Sequence, residues 1–503
     1  AKYQELSSYA TTYWQYKISH KGNYDTSKKF VYISPDGDAA STGDITDPMS
    51  LDIALGLMKR GQTLVLLPGV YNIAGNDSLK ISDTTTGTKT DKRSFIGYNV
   101  YQAEEEGYAV DGVDIPDEPV ILDLGGKYSG IENSADYWIF KNFEIRNGGK
   151  NCKAFHTGGH NNVIENVKIY DCQDSGMCVS RTSSSQETIK DWPRNNLIKN
   201  CEVWNCADPS FNNSDGYAVK LTVGYGNKLI GCISHHNSDD GWDLFCKQSG
   251  GYMAPVTLEK CITYKGGYRL LEDGTDRKWS ESRGGRNGFK MGGDSMPVNN
   301  VLIDCIAFEN GNTGVTSNSN PLMTVRGCVG YMNEGSNFSM GSNSVQASCN
   351  YDVKGLVSYK PGKGSDKGGD SIQGYGYDKD YNYLKASTGS ASVNASGDAV
   401  DDSFFVSLES PVVDGRIPQD PYTGEYQLNG FLQLTDTVKA KIENSEGYAD
   451  PIEEDTTETT TEDNKDEIKG TVGGGSAKRN DTPVSGKTDS KDKTTETTTK
   501  DNA

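Results

Sequence analysis

Four aspartates and one lysine stand out because their types and spacing suit a single chemistry. The strings NNSDGYAVKL, NSDDGWDLF and GRNGFKMGG set Asp215, Asp239, Asp240, Asp243 and Lys290 around Gly216, Gly241 and Gly288. Four carboxylates gathered in a small volume repel one another unless a cation sits among them. All-oxygen donors favour a hard ion of flexible coordination, so calcium is expected. The patch brings no second histidine and no cysteine placed as a ligand, which argues against zinc. Taken singly, each Asp-Gly pair is an ordinary turn and the lysine an ordinary surface group. The site reading rests on all five meeting at matching positions.

They meet only if the chain stacks the three strings. A degenerate repeat does so: NNVIENV, NNLIKNC, NKLIGC, PVTLEKC, NVLIDC, TVRGC and VQASC end at Val167, Cys201, Cys232, Cys261, Cys305, Cys328 and Cys349. The intervals of 34, 31, 29, 44, 23 and 21 residues fit coils of a solenoid, the longer ones carrying loop insertions. Three residues on, Tyr170, Trp204, His235, Tyr264, Phe308 and Tyr331 recur; five on, Asn237, Asn310 and Asn333 recur, as a ladder of stacked amides would. In a second register Gly176, Gly216, Gly241, Gly288, Gly314 and Asn337 each open a strand. The next residue and the one two beyond it point inward; the residue between points out. That outward row reads Cys178, Ala218, Asp243, Lys290, Thr316 and Ser339, with Asp243 and Lys290 on adjacent coils.

The same register makes the cysteines a column of small buried side chains rather than a disulfide framework, and their odd total of eleven leaves at least one thiol without an intramolecular partner. Upstream, an amphipathic helix near Met49 to Lys59, ended by Gly61, is placed to cap the solenoid. Downstream, from Pro451 to Ala503, Thr, Glu, Asp, Lys, Ser and Gly dominate, and such a segment lacks the apolar surface to order itself. The reading is an N-terminal extension at 1–27, an all-β parallel β-helix at 28–450 and a disordered tail or linker at 451–503.

The formal charge of −20 excludes nucleic acid and anionic membrane surfaces as partners. An acidic chain still holds an acidic polymer when divalent cations lie between them. No apolar run is long enough to span a membrane. The start at Ala1, with no visible leader, is read as one already removed.

The three strings resemble the core of polysaccharide lyase family 9, the pectate lyases with a right-handed parallel β-helix. The likeness runs from about Lys28 to at least Met340, including the SPDGD…ALGLMKRGQTLVLLPGVY opening. It implies that Asp215, Asp239, Asp240 and Asp243 bind a calcium ion and that Lys290 is the Brønsted base. It implies cleavage of polygalacturonate by β-elimination, giving 4,5-unsaturated oligogalacturonides, by a secreted monomer whose tail offers a route to the cell surface. Endo and exo action are not separated. Charge and position alone suggest that Arg283, Arg286 and Lys265 bind further substrate carboxylates. Two rivals stand beside this reading. A hydrolase of the polygalacturonase type would use Asp239 and Asp240 as its acid and base, but the Gly-His-Gly and Arg-x-Lys elements expected of it are missing. A non-catalytic adhesin with a structural calcium site leaves the outward Lys290 unexplained.

Overall fold

The computed structural model describes residues 24–73, 79–279, 283–342, 349–365, 368–374 and 379–449. The chain divides into a compact unit, Ala1–Glu453, and a second, Glu454–Ala503; the second lies outside the described residues, as does the tail expected from Pro451.

Each coil is made by short strands and one sharp corner. Lys228–Ile230 and Ile233–His235, for example, flank the pair Gly231-Cys232. The residue just before the column position is left-handed in coil after coil: Asn142, Asn166, Asn200, Gly231, Lys260, Asp304, Gly327 and Gly355 all have φ between 51° and 69°. Asn, Asp and Gly tolerate that conformation best. The corner turns the chain while the next side chain points into the interior. There Phe143, Val167, Cys201, Cys232, Cys261, Cys305, Cys328 and Leu356 are buried. All eleven cysteines are free thiols. Cys349 does not continue the column. Arg326 pairs with Lys354, so the position after Cys328 belongs to Leu356, and Cys349 sits just before the strand Asn350–Lys354.

Stacked coils form a 19-stranded sheet and a 10-stranded sheet, whose strand pairs are parallel. The 10-stranded sheet runs without a crossover from Leu79–Ile81 to Ser371–Ile372. Its inward residues are as expected: Met177, Tyr217, Trp242, Phe289, Val315 and Phe338 are at most 1 % exposed. Tyr217, Trp242 and Phe289 stack face to face, with centroids 4.8 and 4.7 Å apart. The asparagine ladder is shorter than expected: Asn310 and Asn333 share bonds of 2.9 and 3.0 Å, but Gly266 interrupts the row before Asn237. A second ladder, Asn162 to Asn196 to Asn227, carries the chain into the opposite strands.

The cap helix is Leu51–Leu57, shorter at both ends than its pattern suggested; Ile53 and Ala54 are fully buried against Val31, Ile33 and Leu64. On the outer face of the 19-stranded sheet the aromatic row stacks, with Tyr170–Trp204 at 4.4 Å and His235–Tyr264 at 4.6 Å. Residues 400–448 lie over this row. Arg416 stacks on Trp204, and Phe431 meets Phe308 edge-on. The outward row of the 10-stranded sheet is buried at Cys178, Ala218 and Asp243 and partly exposed from Lys290 to Ser339.

Candidate active site

The strands Tyr217–Val219, Trp242–Asp243 and Phe289–Lys290 bring the site together. Their register pairs Ala218 with Asp243, and Asp243 with Lys290, so the outward row forms as the alternation required. The interior stack beneath fixes the three strands, and with them the side chains above.

Asp215, Asp240 and Asp243 each present one carboxylate oxygen such that these oxygens lie within 4.8 Å of one another. Asp239 is adjacent but outside that tight set; its Oδ1 accepts the Gly285 N–H instead. All four are buried, which differs from the exterior patch the sequence suggested. The cover comes from the loop before Lys290. A Cβ on Gly285 would lie 2.3 Å from Asp240 Oδ1, so only glycine lets this backbone approach. Asn287 donates its N–H and Nδ2 to Asp240 Oδ1, at 2.9 and 2.8 Å.

Two ammonium groups meet the carboxylates. Lys290 Nζ lies 3.1 Å from Asp240 Oδ2 and 3.3 Å from Asp243 Oδ2. Lys220 Nζ lies 2.7 Å from Asp215 Oδ2 and 2.6 Å from Asp243 Oδ2. The row of matching positions did not single out Lys220, because it stands two residues past Ala218 and reaches Asp243 diagonally. The signal was in the string YAVKL, one outward step further along the strand. Four carboxylates against two ammoniums leave a formal charge of −2, which one divalent cation would neutralise. Asp215 Oδ1 is buried and accepts no hydrogen bond among the described residues. An orphaned buried carboxylate oxygen in an all-oxygen set is what a hard cation would satisfy, so these residues fit calcium.

The electrostatics agree. Burial, with Asp243 and Asp240 as neighbours, pushes Asp215 up to about 7 against the pull of Lys220. Burial and the charges of Asp215 and Asp240 push Asp239 up to about 9. Burial raises Asp240 as well. For Lys290, burial favours the neutral amine, but the charges of Asp240, Asp243 and Asp215 outweigh it and hold the ammonium above its ordinary value. A lowered value presupposes a cation beside it; the carboxylates by themselves act in the opposite direction.

The other three residues lie apart from this cluster. Lys265 Nζ is paired with Asp276 and Glu309, each at 3.0 Å. Its charge is compensated next to the hairpin of Tyr268–Leu270 and Asp276–Lys278. Arg286 packs its aliphatic chain on Gly267, and its buried Nε makes no hydrogen bond among the described residues. Arg283 is exposed, two residues before Gly285.

Residues 31–352, which hold every residue of this cluster, match the family described as Pel9A-like, right handed beta helix region. The chain belongs to this family. Pel9A-like relatives include a protein named pectate lyase L from Thermoclostridium stercorarium, 37 % identical over 403 residues. That alignment takes in 80 % of this chain but 30 % of the relative, so the chain spans under a third of that protein. Another, also named pectate lyase L, from Paenibacillus polymyxa (strain SC2), is 30 % identical over 80 % of this chain and 81 % of its own. Among solved structures, pectate lyase Pel9A superposes with a TM-score of 0.61 at 22 % identity, covering 81 % of this chain and 90 % of that one. A rhamnogalacturonan lyase gives 0.57 at 18 %, covering 82 % and 98 %. At these identities the two structures speak to the fold, and both share the Pel9A-like coil.

Proposed function

We propose that this Pel9A-like chain is an extracellular, calcium-dependent pectate lyase acting on polygalacturonate. The observation that carries the reading is the placement of Lys290, an outward lysine in register with Asp243 and held by two buried aspartates of an under-compensated cluster. A protein-only structural role would pair those charges fully. The names of the curated relatives and the match over residues 31–352 support the same activity.

Asp215, Asp240 and Asp243 would hold the ion, with Asp239 beside them. Bound there, calcium would neutralise a uronate carboxylate and make the adjacent C5 proton more acidic. Asp240 and Asp243 hold Lys290 Nζ, whose side chain keeps 19 % of its surface exposed on the outward row. Once these carboxylates are compensated, burial is the influence left on Lys290, and burial favours the neutral amine. Neutral Nζ takes the C5 proton. The C–H electron pair becomes the C4–C5 double bond, the C4–O bond breaks with its pair on the leaving oxygen, and that oxygen takes a proton from water while the Lys290 ammonium returns its own proton to solvent. The product is a 4,5-unsaturated uronide. Buried partners at Asp240, including Asn287, keep the acceptor in place between turnovers.

The test is the ultraviolet absorbance of products from polygalacturonate. Unsaturated product should form with calcium, stop with chelator and resume when calcium, but not zinc, is restored. Saturated products would instead establish a hydrolase.

A further inference from the structure

The groove differs in charge on the two sides of Lys290. On the N-terminal side stands a charged set, Lys220 paired with Asp215 and Asp243 at 2.7 and 2.6 Å. On the C-terminal side the outward row continues in register from Lys290 to Thr316, Ser339 and Ser371. Beside that row lies a trough of about 340 Å³ whose lining includes Thr316, Asn318, Ser319, Ser339, Ser342 and Gln373 and, among the described residues, contains no charged side chain. Ser319 and Ser339 are partly exposed and Ser371 is exposed, and all three line the trough. Adjacent coils stand about 4.8 Å apart, close to the length of one pyranose unit, so each coil faces one sugar.

Neutral donors and acceptors pair well with sugar hydroxyls and ester carbonyls. They do not compensate a carboxylate, and lining a groove with them leaves a uronate charge partly desolvated and unpaired. We infer that the arm of the groove from Thr316 to Gln373 takes uncharged pyranose units, such as methyl-esterified uronosyl residues, so that esters are tolerated on that side of Lys290. The inference rests on the lyase reading and adds a direction to its specificity.

The experiment compares polygalacturonate with a randomly, partly methyl-esterified homogalacturonan, using wild type, Ser339→Lys and Gln373→Lys. Both positions point out of the core, and Ser339→Gln serves as a neutral control for bulk. Wild type should retain most of its kcat/KM on the esterified polymer, with esters concentrated in one of the two new product ends by mass spectrometry. Each lysine should lower KM for polygalacturonate and shift the ratio of the two kcat/KM values by roughly two- to five-fold against the ester, the size of one exposed charge pair; Ser339→Gln should not. Unsaturated products with esters equally spread at both ends, or a ratio unmoved by either lysine, would overturn the inference and leave the lyase reading intact. No unsaturated product from either polymer would overturn both.

Discussion

Two buried acidic clusters sit on opposite faces of the same solenoid, and they are compensated differently. Glu202, with no exposed surface, faces the C-terminal segment. Arg416 grips it through both Nε and Nη2, and His235 Nε2 lies 3.2 Å away. The chain of contacts continues from His235 to His236 at 2.6 Å and on to Asp276 at 2.7 Å. Burial alone would raise Glu202, yet Arg416 and His235 hold it well below the usual carboxylate range. Across the solenoid the opposite holds. Asp215 and Asp239 are pushed up, and Asp215 Oδ1 has no hydrogen-bond partner among the described residues. A buried charge balanced from within ties the fold together. One left short by two charges is built for something that arrives from outside.

The sharpest way to break the comparison is at Lys290. Lys290→Ala should lower kcat by about 10²–10⁴-fold, the usual contribution of a positioned general base, measured in saturating calcium because Asp240 and Asp243 lose a compensating charge. Lys290→Arg should be nearly as slow, since guanidinium stays protonated. An arginine variant near the wild-type rate in steady-state assays would show that the residue supplies charge, not basicity.

Stability separates the two clusters next. Arg416→Met strands Glu202 and should cost about 3–5 kcal/mol in urea unfolding, as breaking a buried pair does. Asp215→Asn, measured in chelator, should leave the unfolding midpoint unchanged or raised, because it removes one of the repelling charges.

Their pH responses should also oppose each other. Asp215 and Asp239 rise on folding from 3.8 to about 7 and about 9. Between those limits the folded, chelated protein binds more protons than the unfolded chain, so its stability falls as pH rises through the window. Calcium should flatten that fall. Glu202 is depressed on folding, so its contribution is present above the ordinary glutamate value and is lost as pH falls toward its folded value. Melting temperatures across pH, with and without calcium, check both slopes. The smallest effect expected is at the tail: removing 451–503 should leave melting temperature and activity unchanged, since that segment has no core-forming pattern.

Much of this site was legible because a period-2 strand over a solenoid repeat leaves few choices. Gly216, Gly241 and Gly288 mark the strand starts, so the outward row and the Asp243–Lys290 neighbours follow. Lys220 was harder to find, because its long stem carries Nζ to a strand position that its Cα does not share. The depth of the aspartates was hidden too, since it depends on how closely Gly284 and Gly285 fold back. In the coil, the cysteine column was read correctly as far as Cys328. The left-handed residue ahead of it went unread because Asn, Gly, Lys and Asp alternate there and share a backbone angle rather than a side-chain type. Reading Cys349 into the column failed for a related reason: Leu356 fills the interior position equally well, and only strand register separates the two. The cover of residues 400–448 over the aromatic row has no periodicity to read; its anchors, such as Arg416 on Glu202, are more than two hundred residues apart.

The account's central claim is a division of labour, with the aspartates holding the ion and Lys290 taking the proton. Calorimetric titration of calcium into wild type, Lys290→Ala and Asp240→Asn tests it most directly. Lys290→Ala should bind calcium at least as tightly as wild type, having lost a competing positive charge, while forming no unsaturated product; Asp240→Asn should bind it measurably more weakly. Loss of calcium binding in Lys290→Ala, or unchanged affinity in Asp240→Asn, would contradict the account.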